Sequence, residues 1–323
     1  MLAERSLRSA DEGVGPYVIH LMARLGLIAG NGKFPFLVLD AARAQGYDVV
    51  VAAIKEETFP EIDSHGAASV HWLSLGELSK LIDTFKAAGV TRAVMAGQVK
   101  HKQIFSAIKP DWRLAKLLLA LGTRNTDSLL GAVAKVLADE GIVLENSTAL
   151  LEPLLAKAGV LTKRAPSEQE RKNIAYGRTV ARRLAEYDIG QTVVIAEAAC
   201  VAVEAMEGTD ATIERAGEIM KSLAPAELVE APTHRKGRDE WGTRHDVGTL
   251  DSHLLSRALT VVKIAKPKQD MRFDVPVVGV KTIATMARAG ASCLAVDAGR
   301  CLLVDGAEVI DAADRAGMAV SAE

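Results

Sequence analysis

The densest chemistry-bearing stretch of the 323-residue chain is Lys266-Pro267-Lys268-Gln269-Asp270-Met271-Arg272-Phe273-Asp274-Val275-Pro276, rich in charge yet flanked by apolar runs. In an extended segment Asp270, Arg272 and Asp274 alternate onto one face. Carboxylates beside Lys and Arg can hold a divalent cation over a phosphate while the cations neutralise the remaining charge. The same pattern suits a solvated hairpin edge of mutual ion pairs. A second acidic block, Glu207-Gly208-Thr209-Asp210, closes a β-like run and opens a helix. Thr209 and Asp210 there read by themselves as first-turn residues that cap the helix.

Two glycine-bearing strand ends add candidate ligand contacts. Ala29-Gly30-Asn31-Gly32-Lys33 follows one apolar run and opens a helix, and Gly97-Gln98-Val99-Lys100 ends another. Backbone amides at such a helix start favour anions, and strand C-terminal ends are where open α/β sheets bind ligands. Neither standard motif is complete. Phe34 stands where a phosphate-binding loop needs Ser or Thr, and Pro35 stands where a dinucleotide fingerprint needs its third glycine. Tight turns without ligand remain an equal reading. Asp127, after Arg124 and Asn125, reads by itself as a helix N-terminal acid or cap. His234, His245 and His253 are spaced by eleven and eight, unlike zinc ligands, and there is no GxSxG nucleophile elbow.

The elements that position these residues read as a two-domain α/β protein. Strands at Leu25–Gly30, in YDVVVAAI and in TRAVMAGQV alternate with helices that begin near Pro35 and at GELSKLIDTFKAAG. That order predicts a Rossmann-like parallel sheet with helices. Helices at Trp112–Leu121 and Asp127–Glu140 and a strand at Ile142–Leu144 complete an N-terminal domain over 24–158, after an extension at 1–23. Residues 159–167 (GVLTKRAPS) read as a linker. A C-terminal mixed α/β domain over 168–323 starts with a long helix at Glu168–Glu186. A hairpin of TVVIA and CVAVEA follows, then a helix at Thr209–Met220. Residues 224–255 read as an insertion. Beyond it come LTVVKIAK, a helix at Lys281–Ala289, CLAVDA, CLLVD and a helix at Gly306–Ala316.

Composition narrows the function classes. Lys plus Arg number 39 against 41 Asp plus Glu, and aromatics are 4%. Neither the charge footprint nor the stacking surface of a nucleic-acid binder is present. Cys200, Cys293 and Cys301 form no CxxC pair, which points to a reducing compartment. No apolar run is long enough to span a bilayer, and the first 22 residues lack the apolar core of a secretory signal. A cytoplasmic location is expected.

Read together, LIAGNGKFP, VMAGQVK, DIGQTVVIAEAACVAVEAMEGTDA, KPKQDMRFDVPVVG and AVDAGRCLLVD resemble, in this order, UDP-2,3-diacylglucosamine pyrophosphatases of the LpxI type. The resemblance spans roughly Leu25 to Ala319. It implies a two-domain hydrolase of lipid A biosynthesis that cleaves its substrate to 2,3-diacylglucosamine 1-phosphate (lipid X) and UMP, with Mg²⁺ or Mn²⁺. It further implies attack at the β-phosphorus. On this basis Asp274 is the first choice for the catalytic carboxylate and metal ligand, with Asp270 beside it. Lys266, Gln269 and Arg272 would surround the pyrophosphate. Glu207 and Asp210 would be further metal ligands, with Thr209, Gln191 and Asp127 as substrate contacts. Gly30, Asn31, Gly32, Gly97 and Gln98 would shape the sugar-nucleotide pocket from the first domain, which implies an active site in the cleft between the domains. The acyl chains imply transient contact with the inner face of the inner membrane; Leu114 with Leu117–Leu119 could line an acyl groove, though a helix this apolar is more often core. Homo-oligomerisation is left open. Three departures from the family pattern are the long 224–255 stretch, a hairpin turn that reads AEAA without glycine, and a last strand, MAVSAE, that ends sooner in apolar residues.

A dinucleotide-dependent oxidoreductase or epimerase, and a non-catalytic carrier of lipid or sugar nucleotide, are the alternatives from other classes.

Overall fold

The structure is a computed structural model that describes residues 23–99, 109–121, 126–223, 259–266 and 269–323. The 1–22 part of the extension, the 224–255 insertion with its three histidines, Lys100 and Lys268 lie outside the described residues.

The first sheet takes β1 (Arg24–Ala29), β2 (Asp48–Ile54), β3 (Ser69–Leu73), β4 (Arg92–Ala96) and β5 (Val143–Glu145) in the order β3-β2-β1-β4-β5. Every neighbouring pair is parallel. Because side chains alternate along a strand, β1 sends Leu25 and Leu27 to one core and Ile28 to the other. Helix α1 (Phe34–Ala44) covers the first face, packing Val38 and Leu39 there. Helices α2 (Leu78–Ala87), α3 (Trp112–Ala120) and α4 (Thr126–Asp139) cover the second with Leu81, Phe85, Leu114 and Leu137. Leu114 and Leu117 are thus core residues, while Leu119 is exposed on the other side of α3. β3 is an element the sequence reading did not contain.

The second sheet is mixed. It takes β6 (Gly159–Val160), β7 (Thr192–Ala196), β8 (Ala199–Val203), β9 (Leu259–Lys263), β11 (Ala291–Val296) and β13 (Ala319–Ala322) in the order β6-β13-β11-β9-β7-β8. β9, β11 and β13 run parallel, while β7, β8 and β6 join antiparallel. Helix α5 (Glu168–Glu186) covers one face over Val193, Ile195 and Val262. Helices α6 (Thr209–Ser222), α7 (Val280–Ala289) and α8 (Ala307–Arg315) cover the other over Val194, Val261 and Leu294.

The expected linker is woven into this sheet. Residues 159–160 pair with β13, and Arg164 forks onto Glu170 at 2.8 and 2.9 Å. Glu170 also closes a capping box with Ser167 at the start of α5.

The two halves share a core. Short strands β10 (Val277–Val278) and β12 (Leu302–Leu303) pair in parallel. Leu302 is fully buried against Leu27, Val38 and Leu151 of the first half, with Val275 and Val277 packed on the same cluster. The segment that carries the charged block is therefore anchored at one end in the second sheet and seated on the first.

Candidate active site

In the first half the two glycine loops lie back to back at the tips of β1 and β4. The strand order reverses at these two strands, the position where doubly wound sheets take ligands. The Asn31 amide donates to the Gln98 carbonyl at 2.8 Å and the Gln98 amide returns to Asn31 at 3.1 Å. A side chain on Gly30 would meet the Gln98 carbonyl at 2.7 Å, and one on Gly97, whose φ is +94°, would meet the Asn31 carbonyl at 2.6 Å. Glycine is thus required at both positions by the contact between the loops. The Asn31 side chain donates to the Glu57 carbonyl.

A clasp runs from this turn to the second half. Lys33 Nζ lies 2.8 Å from Asp305 Oδ1, and Asp305 Oδ2 accepts from the Val280 amide at the start of α7. The Lys33 hydrogen bond holds the Asp305 carboxyl below its ordinary range.

The Asp270-to-Asp274 segment is a turn, not the extended strand expected. The Phe273 and Asp274 amides both donate to the Asp270 carbonyl. The cause is local and long-range at once. The Asp270 carboxylate accepts from the Arg272 amide at 3.1 Å and from its guanidinium at 2.9 and 2.5 Å, folding the chain over itself as Asp side chains do in turns. From the first half, the Ser147 hydroxyl lies 2.6 Å from the Met95 carbonyl and 2.5 Å from that of Arg272, and the Ser147 amide donates to Met271. Asp270 and Arg272 therefore neutralise each other, and the Arg272 hydrogen bond holds the Asp270 carboxyl low. The Arg272 guanidinium stands over the Phe273 ring, which packs on the core of the first half.

Asp274 faces Lys266, whose Nζ is 3.7 Å from Asp274 Oδ2 and also contacts Asp188. The Lys266 amide donates to Gln269 Oε1 at 2.6 Å. The other amide atom of Gln269, Nε2, is buried with no hydrogen-bond partner among the described residues, and so is Gln191 Oε1. The Gln191 carbonyl accepts from Ile264, so both glutamines flank the chain leaving β9. Thr209 opens α6 and donates to Glu204 at 2.8 Å. Lys263, absent from the sequence-based set, donates to the Thr209 hydroxyl at 2.6 Å. Its sequence signal was a charge closing the otherwise apolar run LTVVK.

Glu207, Asp210 and Asp274 do not come together as a metal-ligand set. Glu207 pairs with Arg215 at 2.7 Å and accepts from Thr212, serving the first turns of α6. Asp210 pairs with Lys281 at 3.1 Å and accepts from Thr282 on α7. Among the described residues no three His, Cys, Asp or Glu side chains could hold a metal ion together. The donor set therefore does not fit a three-carboxylate cage. It fits Mg²⁺ only as one carboxylate, that of Asp274, completed by substrate phosphates and water, a common form for this ion. Asp127 lies in α4, and its side chain is outside the described residues.

Comparison with known proteins accords with this two-part construction. A family model described as the LpxI N-terminal domain matches residues 24–154, and one described as the LpxI C-terminal domain matches residues 157–321. A protein of Caulobacter vibrioides named UDP-2,3-diacylglucosamine pyrophosphatase LpxI is 32% identical over 302 residues, covering 93% of this chain and 97% of that protein. Among solved structures, the biotin carboxylase domain of a Hydrogenobacter thermophilus 2-oxoglutarate carboxylase aligns at 12% identity over 63% of this chain and 42% of that one. Its TM-score of 0.24 is too low to bear on the fold. With both domain models matched in order and a relative aligned end to end, the chain belongs to the LpxI family.

Proposed function

We propose that the protein hydrolyses the pyrophosphate of UDP-2,3-diacylglucosamine in lipid A biosynthesis, releasing UMP and 2,3-diacylglucosamine 1-phosphate. The observation that carries this reading is the seating of the 270–274 turn on Ser147. That contact docks the turn ending at Asp274, which pairs with Lys266, against Met95 of β4 in the first sheet. The name of the Caulobacter relative supports the substrate class.

In this reading Asp274 orients the attacking water and accepts its proton. The water oxygen bonds to the β-phosphorus, the bond from that phosphorus to the bridging oxygen breaks, and UMP leaves with the bridging oxygen. Lys266 neutralises charge that grows on the phosphoryl oxygens, the main demand of such a reaction. Gln269 Nε2 offers a donor to the phosphates, and Gln191 Oε1 offers an acceptor to a sugar or base N–H or O–H. Mg²⁺ or Mn²⁺, held by Asp274 and the substrate, would supply further charge neutralisation when bound. Among the described residues no helix is long and apolar enough to cross a membrane. The two acyl chains are therefore read as requiring transient contact with the inner face of the inner membrane.

The test is turnover of UDP-2,3-diacylglucosamine by the purified protein with Mg²⁺, with Mn²⁺ and with EDTA, in ¹⁸O-labelled water. Release of UMP with the label in the sugar phosphate is expected, and its loss in EDTA would support the metal. Label in UMP would move the attack to the α-phosphorus. No release under any condition would overturn the reading.

A further inference from the structure

Lys263 is placed where the protein's own electrostatics do not account for it. Its side chain is 6% exposed, at the C-terminal end of β9. By the alternation along that strand it shares the face of Val261, under α6 and α7. A buried ammonium is costly unless it is paired. Yet among the described residues no carboxylate lies within 4 Å of its Nζ, and its one hydrogen-bond partner is the neutral hydroxyl of Thr209 at 2.6 Å. Thr209 is the first residue of α6, so the ammonium also sits at the positive end of a helix, which repels it. Glu204, the acid that would pair with it, is reached only through Thr209, whose hydroxyl donates to Glu204 Oε1 at 2.8 Å. An ammonium has three donors, and two are left over.

The surroundings point to what those donors serve. Lys263 is the register partner of Thr192, next to Gln191, and Gln191 carries a buried acceptor without a partner. Three residues beyond Lys263 the chain reaches Lys266, and then Gln269 with its buried unpartnered donor. Unsatisfied atoms of both polarities therefore border the same corner of the second sheet as the Lys266–Asp274 pair. Buried polar groups are almost always satisfied in native structures, so these atoms, unpartnered among the described residues, leave hydrogen-bonding capacity for a polar ligand.

We propose that Lys263 is a further substrate-binding residue, whose two spare N–H groups donate to oxygens of the substrate's pyrophosphate while Thr209 fixes the ammonium in place. The proposal rests on the pyrophosphatase reading for the identity of the substrate, but its test does not need turnover. UDP binding is measured by calorimetry for the wild type, Lys263→Met and Lys263→Arg, with thermal melting as the check on folding. A folded Lys263→Met is expected to bind UDP at least tenfold more weakly, with Lys263→Arg recovering most of the loss. A wild-type protein that does not bind UDP, or a folded Lys263→Met within twofold of wild type, would overturn the proposal. So would equal losses in Lys263→Met and Lys263→Arg that track their melting temperatures, since that is the signature of a merely structural lysine. UDP binding through Lys263 without hydrolysis of UDP-2,3-diacylglucosamine would leave this proposal standing and remove the pyrophosphatase reading.

Discussion

Ser147→Ala is the perturbation that joins fold to function most closely. The Ser147 side chain is buried, and its hydroxyl lies between the Met95 carbonyl of β4 and the Arg272 carbonyl of the charged turn. Alanine leaves the Ser147 amide bond to Met271 in place but strips both carbonyls of the hydroxyl. Leaving a buried acceptor unsatisfied costs about 1–3 kcal/mol. If that cost falls on the docked state of the turn, the competent arrangement of Asp274 becomes about 5- to 150-fold less favourable. The expected result is a drop in kcat/KM of that size together with a lower unfolding midpoint. Lowered stability alone could slow an enzyme, so a control is needed at a distance, and Glu170→Gln supplies it. Glu170 is held by Arg164 and Ser292 in the second half, remote from the turn in its contacts. Glu170→Gln should lower the midpoint at least as much, yet keep kcat/KM within twofold at temperatures where the protein is folded. Full activity in Ser147→Ala, or parallel losses in both variants, would refute the view that Ser147 acts by seating the turn.

Glu170 also predicts an acid response. Burial pushes its carboxyl up, but hydrogen bonds from Arg164, Ser292 and the Ser167 amide outweigh that and hold it at about 2, against an ordinary 4.5. The folded value is depressed, so its stabilisation is fully present above pH 4.5 and is lost as pH falls from there toward 2, about 3 kcal/mol in all. Chemical denaturation across that range should show a shallower acid loss in Glu170→Gln than in wild type; equal slopes would contradict the assignment. The hairpin between β7 and β8 turns on Glu197 and Ala198 with φ of 48° and 59°, a conformation that strains residues with a side chain. Ala198→Gly should therefore stabilise the protein by about 1 kcal/mol, read as a raised midpoint, and a lowered midpoint would show that the turn is not strained.

Much of the first sheet was legible because its parallel strands are buried on both faces and read as apolar runs between glycine-stopped helices. β3 was missed for the opposite reason: SVHWL is an edge strand, half-exposed, with His71 and Trp72 breaking the apolar signal. The charged block was legible as a site candidate but not in its shape. Alternation predicts an extended segment only when nothing competes for the backbone. Here the Asp270 carboxylate and a serine 125 positions away bend it into a turn. That Glu207 and Asp210 pair with Arg215 and Lys281 rather than gather with Asp274 was not legible, because those partners become neighbours only after the helices have packed. Glycines 30 and 97 stand out in the sequence as strand-end glycines, while the backbone contact that demands them depends on which strands are neighbours. Lys263 was passed over as the end of a strand, since burial of a single charge is not written in its flanking residues.

In the proposed reaction, hydrolysis depends on the carboxylate of Asp274, held by the docked turn beside Lys266. Comparing wild type with Asp274→Asn tests it most directly, using UMP release from UDP-2,3-diacylglucosamine together with substrate binding by each protein. A folded Asp274→Asn is expected to bind substrate still and to turn it over at least about 100-fold more slowly. Turnover at the wild-type rate in that variant would contradict it.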